Sequence, residues 1–162
     1  VVNIGDEFLE KGFSILGDQK YAPTILQAYE AIWNDKKPAS LPEYYDRAIR
    51  FEGPAGELHY GQDRMKKFQN SILTSIPDGK YQAHHLMITQ EPDKNVRAAL
   101  RWSFTGSHSG PGRYGNPTGY PLAVLGISHF ELRYGKIVNE WFCIDETAIY
   151  AQIGAYQAEA NS

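Results

Sequence analysis

Between residues 81 and 144 the chain carries four consecutive runs rich in β-branched and aromatic residues, and this succession constrains the fold more than any other feature. The runs cover 81–90, 96–105, 122–134 and 136–144. Residues of this kind suit a pleated, half-buried surface. Tyr134-Gly135-Lys136 reads as a tight hairpin turn, so the last two runs are expected to pair antiparallel. Upstream the apolar period is helical. Ile25, Ala28, Tyr29, Ile32 and Trp33 share one stripe of a helix expected after Pro23, with Thr24 as its N-cap and Lys36-Lys37-Pro38 as its end. A short helical turn at 41–45 and a strand at 48–52 follow, closed by Gly53-Pro54-Ala55-Gly56. A second helix is predicted at 62–76, burying Met65, Phe68, Ile72 and Ile76, and Pro77-Asp78-Gly79 stops it. Helices first and a meander afterwards give an α+β fold.

A length of 162 residues fits one domain with a sizeable core. Residues 1–20 read as an N-terminal extension. A short helix is expected at 6–11, and Gly5, Gly12 and Gly17 forbid a longer one. The chain starts at Val1 rather than Met, so the native start is expected upstream. The net charge of −3 lacks the basic footprint of a nucleic-acid binder. No apolar run has the length of a transmembrane helix, so no membrane partner is expected. A single cysteine, Cys143, rules out an internal disulfide framework and fits a cytoplasmic setting. Between Phe142 and Ile144 it reads as a small buried hydrophobe.

Two further patterns carry little chemistry. Adjacent His84 and His85 point to opposite faces of a strand, so only one of them is expected to reach an interior, and no spacing matches a zinc site. Neither a metal nor a cofactor is expected. The segment from Gly110 to Gly115 has the spacing G-x-G-x-x-G, but turn residues follow it where a phosphate-binding loop needs a helix N-terminus.

The string RWSFTGSHSG at 101–110, Pro117-Thr118-Gly119, GKIVNEW at 135–141 and Asp145 resemble the SnoaL-like polyketide cyclase family. Ala31-Ile32-Trp33-Asn34-Asp35, Tyr44-Tyr45 and Ile76-Pro77-Asp78 extend the resemblance to about residues 24–154. It implies a cone: a strongly curved antiparallel sheet packed against two to three helices, cystatin-like or nuclear transport factor 2-like, around an apolar pocket. The domain would span 21–154, with 155–162 as a tail. The resemblance also implies an aldol closure run by proton transfer without metal or cofactor. In the cyclases an Asp on the last strand is the acid/base; its position here is Phe142. A His on the preceding strand corresponds to Ser128, with His129 facing the other way. The epoxide hydrolases of the superfamily use an Asp-Arg-Asp set. Arg101 matches the arginine, whereas Ser103 and Phe142 stand at the carboxylate positions.

Alternation along strands sorts the remaining candidates. If Phe142 faces the pocket, so do Val138, Glu140 and Ile144; by the same analogy Arg101 and Ser103 face it from the neighbouring strand. Glu140 and Arg101 then form a charged pair inside the cone, the arrangement expected of buried charges. Tyr45, Glu52, His84, Ser103, His108, Ser128 and Phe142 complete the expected contacts to a small-molecule ligand. Trp102, Phe104 and Trp141 are expected on the convex face, where a second copy would cover them in a homodimer. Two functions stay open. One is an enzyme in which Glu140 transfers a proton while Arg101 polarises an oxygen; the other is a ligand-binding or scaffold protein with the same pocket. An adaptor that uses the convex face alone is a third.

Overall fold

The computed structural model describes residues 13–92 and 95–162. The helix expected at 6–11 lies outside the described residues. Seven strands form one sheet: β1 (Ser14–Gly17), β2 (Tyr45–Glu52), β3 (Leu58–Tyr60), β4 (Lys80–Gln90), β5 (Val96–Ser107), β6 (Pro121–Arg133) and β7 (Lys136–Ile144). Their order is β1-β4-β5-β6-β7-β2-β3. The central strands β4 to β7 are antiparallel, while β1 joins β4 and β2 joins β7 in parallel. The helices are α1 (Ala22–Tyr29), α2 (Leu41–Tyr44), α3 (Gln62–Ser75) and α4 (Glu146–Ala160).

The four long runs become β4 to β7, and both amphipathic stripes become helices whose apolar positions are buried. The first helix starts earlier than expected. It opens at Ala22, and Pro23 sits in its first turn, where a missing N–H costs nothing. Thr24 is therefore inside the helix rather than its cap. Beyond Tyr29 the backbone widens into one π-helical turn, Glu30–Asn34, closed by the Asp35 N–H on the Glu30 carbonyl. The Lys36 ammonium then donates to the carbonyls of Trp33 and Gly79, which satisfies the helix end. The wider turn keeps Tyr29 and Trp33 on one side, their ring centroids 6.4 Å apart.

That side is where the sheet closes. The Tyr29 ring meets Tyr81 of β4, Trp102 of β5 and Phe130 of β6 at centroid distances of 5.2, 6.1 and 5.5 Å. Trp33 stacks on Phe142 of β7 at 5.5 Å. Four successive strands converge on one helix side, so the sheet curves around it. Trp102 fits there because two residues of β6 beside its ring are small. Gly126, its direct partner on β6, leaves room that a Cβ would fill at 2.1 Å from the indole, and Ser128 accepts the indole N–H at 3.1 Å.

Trp102 and Phe104, expected on the convex face, are both 2% exposed and belong to the core. Along β5 the apolar set Val96, Ala98, Leu100, Trp102 and Phe104 alternates with Arg97, Ala99, Arg101, Ser103 and Thr105. Burying the first set removes far more apolar area from water, and that decides which face turns inward. Only Trp141 of the expected trio lies outside, half-buried against His129. Cys143 is exposed rather than buried, because β7 alternates about Phe142 and Ile144. A register irregularity beside Leu132 turns Ile137 inward in place of Val138. The last helix, α4, runs on through most of the expected tail at 155–162 and ends at Ala160; the Asp145 carboxylate caps its Ala148 N–H, and its buried residues are Ile149 and Ile153.

Candidate active site

Glu140 lies on the inner face of β7 and is 1% exposed. Its neighbours are rings and hydroxyls. Tyr45, the first residue of β2, donates its hydroxyl to Oε2 at 2.9 Å. Tyr29 reaches Oε1 at 2.5 Å and is also hydrogen-bonded to the Ser128 hydroxyl. A phenol has one proton, so one of those two contacts must be accepted. The arrangement that satisfies every group has Trp102 Nε1 donating to Ser128, Ser128 to Tyr29, and Tyr29 to the carboxylate. No cation forms an ion pair with Glu140 among the described residues.

Burial without a countercharge pushes the Glu140 pKa up to about 7, against the two tyrosine hydrogen bonds, which lower it. Tyr29 and Tyr45 are themselves held well above the ordinary phenol range, first by burial and then by the charge of Glu140. Near neutral pH the site therefore holds a carboxyl poised between its two forms and two tyrosines that stay protonated.

Four of the expected site residues meet here: Glu140, Tyr45, Ser128 and Phe142. Phe142 packs between Trp33 and Trp102, with centroids 5.5 and 5.2 Å away. It pairs directly with Ser128 across the β6–β7 ladder. At the two positions where the resemblance implies Asp and His, this chain places a phenyl ring facing a serine. The carboxyl sits two residues earlier on the same strand face, a displacement of roughly 7 Å.

The other candidates lie elsewhere. Arg101 is exposed on the face opposite Trp102, so it forms no pair with Glu140. Ser103 shares that outer face and is bonded to His84 at 2.8 Å, across the register shift of β4. The shift defeats strict alternation at His84 and His85; His85 is bonded to Ser14 of β1 instead. Glu52 follows the buried Phe51, points away from the interior and pairs with Arg50. His108 is fully buried within its own loop, where Nδ1 contacts Thr118 Oγ1 at 3.1 Å and the main chain bonds Thr118, Gly119 and Tyr120.

The sequence reading missed two groups. Tyr29 was placed only as a core residue; its hydroxyl, alone in an apolar stripe, was the signal that a buried partner was needed. The second group is an ion cluster where the Gly-rich loop meets the helices. Arg113 donates to Glu146 at 2.5 and 3.1 Å and to Glu57 at 2.6 Å, and its guanidinium lies 4.9 Å over the Phe68 ring. Tyr114 also donates to Glu146. Phe68 in turn touches Phe142 at 5.6 Å and Phe51 at 5.0 Å. One ring thus separates this partly exposed rim from the aromatic interior.

The family model for SnoaL-like polyketide cyclases matches residues 23–153. No curated protein matches the sequence. Solved structures of the same fold do. A candidate SnoaL-like polyketide cyclase from Jannaschia sp. CCS1 has a TM-score of 0.73 at 20% identity, covering 85% of this chain and 94% of that one. IdmH, a candidate polyketide cyclase from Streptomyces antibioticus, gives 0.69 at 23% identity, covering 83% and 99%. A protein of ketosteroid isomerase-like fold from Catenulispora acidiphila DSM 44928, in complex with trimethylamine, gives 0.63 at 16% identity, covering 82% and 93%.

Proposed function

The chain belongs to the SnoaL-like polyketide cyclase family, and from that premise we propose that it is a cofactor-free cyclase or isomerase in which Glu140 moves the proton. The substrate class is an apolar, polyketide-like carbonyl compound. The Glu140 carboxylate takes a proton from the carbon beside a carbonyl. In a cyclisation the enolate carbon then bonds to a second carbonyl carbon of the same molecule, and the resulting alkoxide takes the proton back from Glu140. In an isomerisation the same proton returns to a different carbon. The observation that carries this reading is a buried carboxyl with a pKa pushed up to about 7, held by two tyrosine hydroxyls and by no cation among the described residues. An acid/base works best with its pKa near the working pH.

The test is exchange of the α-protons of 2-tetralone for deuterium, followed by proton NMR. Glu140→Gln keeps the shape and is expected to slow exchange by about 10²–10⁴-fold. Equal rates in the two proteins would refute the catalytic role. A second reading, ligand binding without chemistry, is favoured by the Phe142 ring, which fills the family's acid/base position among Trp33, Phe51, Phe68 and Trp102. It expects no exchange by either protein and unchanged binding in the variant.

We further propose that a second copy covers the outer sheet face. With Trp102 and Phe104 in the core, the apolar groups on that face include Leu16 (59% exposed), its register partner Met87 (48%), Leu125 (41%), Ile127 (56%) and the half-buried Trp141. A stable contact buries at least about 1,000 Å². Sedimentation is expected to give a dimer at micromolar concentration that Ile127→Glu dissociates; a wild-type monomer would count against it. Among the described residues, no helix is long and apolar enough to cross a membrane.

A further inference from the structure

Tyr81 stands one ring away from Glu140, and the network there does not use it. It sits near the start of β4, and Asn34 of the π-helical turn holds its backbone from both sides. The Tyr81 N–H donates to Asn34 Oδ1 at 2.8 Å, and Asn34 Nδ2 donates to the Tyr81 carbonyl at 3.0 Å. Its ring meets the edge of Tyr29 at 5.2 Å and lies 6.3 Å from Trp102. The residue is 7% exposed, and its buried hydroxyl has no hydrogen-bond partner among the described residues. Tyr29, Tyr45, Ser128, Trp102 and Glu140 are all paired. A buried hydroxyl left unpaired costs stability, and folded proteins rarely keep one without a use. Burial also holds this phenol protonated, so it is a donor at any working pH.

We propose that the Tyr81 hydroxyl is a catalytic residue that donates a hydrogen bond to the carbonyl oxygen of the substrate, on which enolate charge develops as Glu140 removes the α-proton. The proposal rests on the Glu140 reading above. It divides three tyrosines into two duties. Tyr29 and Tyr45 hold the acid/base, and Tyr81 holds the oxygen that gains charge. A fixed donor in a water-poor site stabilises such an oxygen without reorganising when the charge appears. The proton stays on Tyr81 throughout.

Tyr81→Phe removes one oxygen and keeps the ring contacts. The variant is expected to melt at or above the wild-type temperature, since it loses only an unpaired buried group. A melting temperature clearly below wild type would assign the hydroxyl a structural bond and overturn the proposal. The binding probe is 2-naphthol, whose ionised form carries an enolate-like oxygen and is distinguished by its fluorescence. Wild type is expected to bind it, and Tyr81→Phe to bind it about 10- to 100-fold more weakly, the usual loss for a hydrogen bond to a charged group. Equal affinity, or no binding by wild type, overturns the proposal. The 2-tetralone exchange separates the two layers. Loss of exchange in Glu140→Gln but not in Tyr81→Phe removes this inference and leaves the acid/base standing. Full exchange in Glu140→Gln removes both.

Discussion

The interior around Glu140 and the rim around Arg113 handle charge in opposite ways. Glu140 is one carboxyl at full burial with hydroxyl partners and, among the described residues, no cation. Arg113 is one cation, 15% exposed at its side chain, with two carboxylates and the face of Phe68 around it. The result is a Glu140 pKa pushed up to about 7, while Glu57 on the rim is held below the ordinary carboxylate range, first by its hydrogen bond from Arg113. A group left short of compensation stays ready to change its protonation state. A group with compensation to spare is fixed in one state and serves to close the structure. The difference separates a candidate for chemistry from a latch, although both are clusters of Glu with Tyr.

The largest effect expected from this contrast is in stability against pH. Glu140 has an ordinary value of 4.5 and a folded value of about 7. Between those values the folded state binds more protons than the unfolded one, so stability falls as pH rises through the window. Below about 4.5 both states are protonated and the group contributes nothing; above about 7 it costs on the order of 3 kcal/mol. Glu57 has the opposite sign, its contribution being present above its ordinary value and lost as pH falls below that value through its lower folded one. Urea titrations from pH 4.5 to 7.5 are expected to show wild type losing stability relative to Glu140→Gln as pH rises, while both share the opposite slope of His84, His108 and His129, whose pKa values burial lowers. Parallel curves would make Glu140 an ordinary surface-like carboxyl and dissolve the comparison.

The fold was legible in the sequence wherever one rule governed a segment. The four strand runs, the Tyr134-Gly135 turn and the apolar stripes of α1 and α3 follow directly from period and turn chemistry. The Glu140 face of β7 was also legible, since Phe142 and Ile144 fix its alternation. Arg101, Trp102 and Phe104 were misplaced because the face of β5 was taken from a resemblance. The strand's own alternation, from Val96 to Phe104, pointed the right way. Gly126 opposite Trp102 and Ser128 two residues along carried the same message, since small residues make room for an indole. His84 was out of reach, because a register shift leaves no local trace that alternation detects. The Arg113 cluster was out of reach for a different reason: Glu57, Arg113 and Glu146 come from three separate segments, and only the tertiary fold brings them together.

Next in size is the latch. Arg113→Met keeps an unbranched apolar stem and removes the guanidinium, with its contact to the Phe68 ring, leaving Glu57 and Glu146 without the cation they share. The expected loss is about 1–2 kcal/mol, moderated by the partial exposure of both carboxylates and smaller at 1 M salt. Hydrogen exchange in residues 110–116 is expected to quicken, with little change around Glu140. An unaltered loop would mean that the main-chain bonds of His108 and Gly110, rather than Arg113, hold this segment. A smaller effect tests the interior from the same angle. Tyr45→Phe removes the hydroxyl on Oε2, a bond that lowers the Glu140 pKa. The carboxyl is then expected to titrate above 7, visible as a shifted infrared C=O band that Glu140→Gln lacks. The variant should lose about 1 kcal/mol. A titration that moved downward would show that Tyr45 does not stabilise the ionised form.

The smallest effect is expected at Glu57, and it bears on whether the rim really has compensation to spare. Glu57 is one of two carboxylates on Arg113, 35% exposed at its side chain, and it also lies 3.5 Å from His59. Glu57→Gln keeps an acceptor for Arg113 and removes one negative charge, while Glu146 retains its two contacts to the same guanidinium and its bond from Tyr114. An exposed member of an over-supplied cluster contributes little, so the change in stability is expected to stay below about 0.5 kcal/mol at neutral pH. The pH dependence should change more visibly than the magnitude, because the acid-side loss assigned to Glu57 disappears. Glu146→Gln, at 19% side-chain exposure and with more partners, is expected to cost more than Glu57→Gln. If Glu57→Gln alone loosened residues 110–116 as much as Arg113→Met does, the two carboxylates would not be redundant. The rim would then depend on a single pairing, and the sharp contrast with the interior would fail at its simpler end.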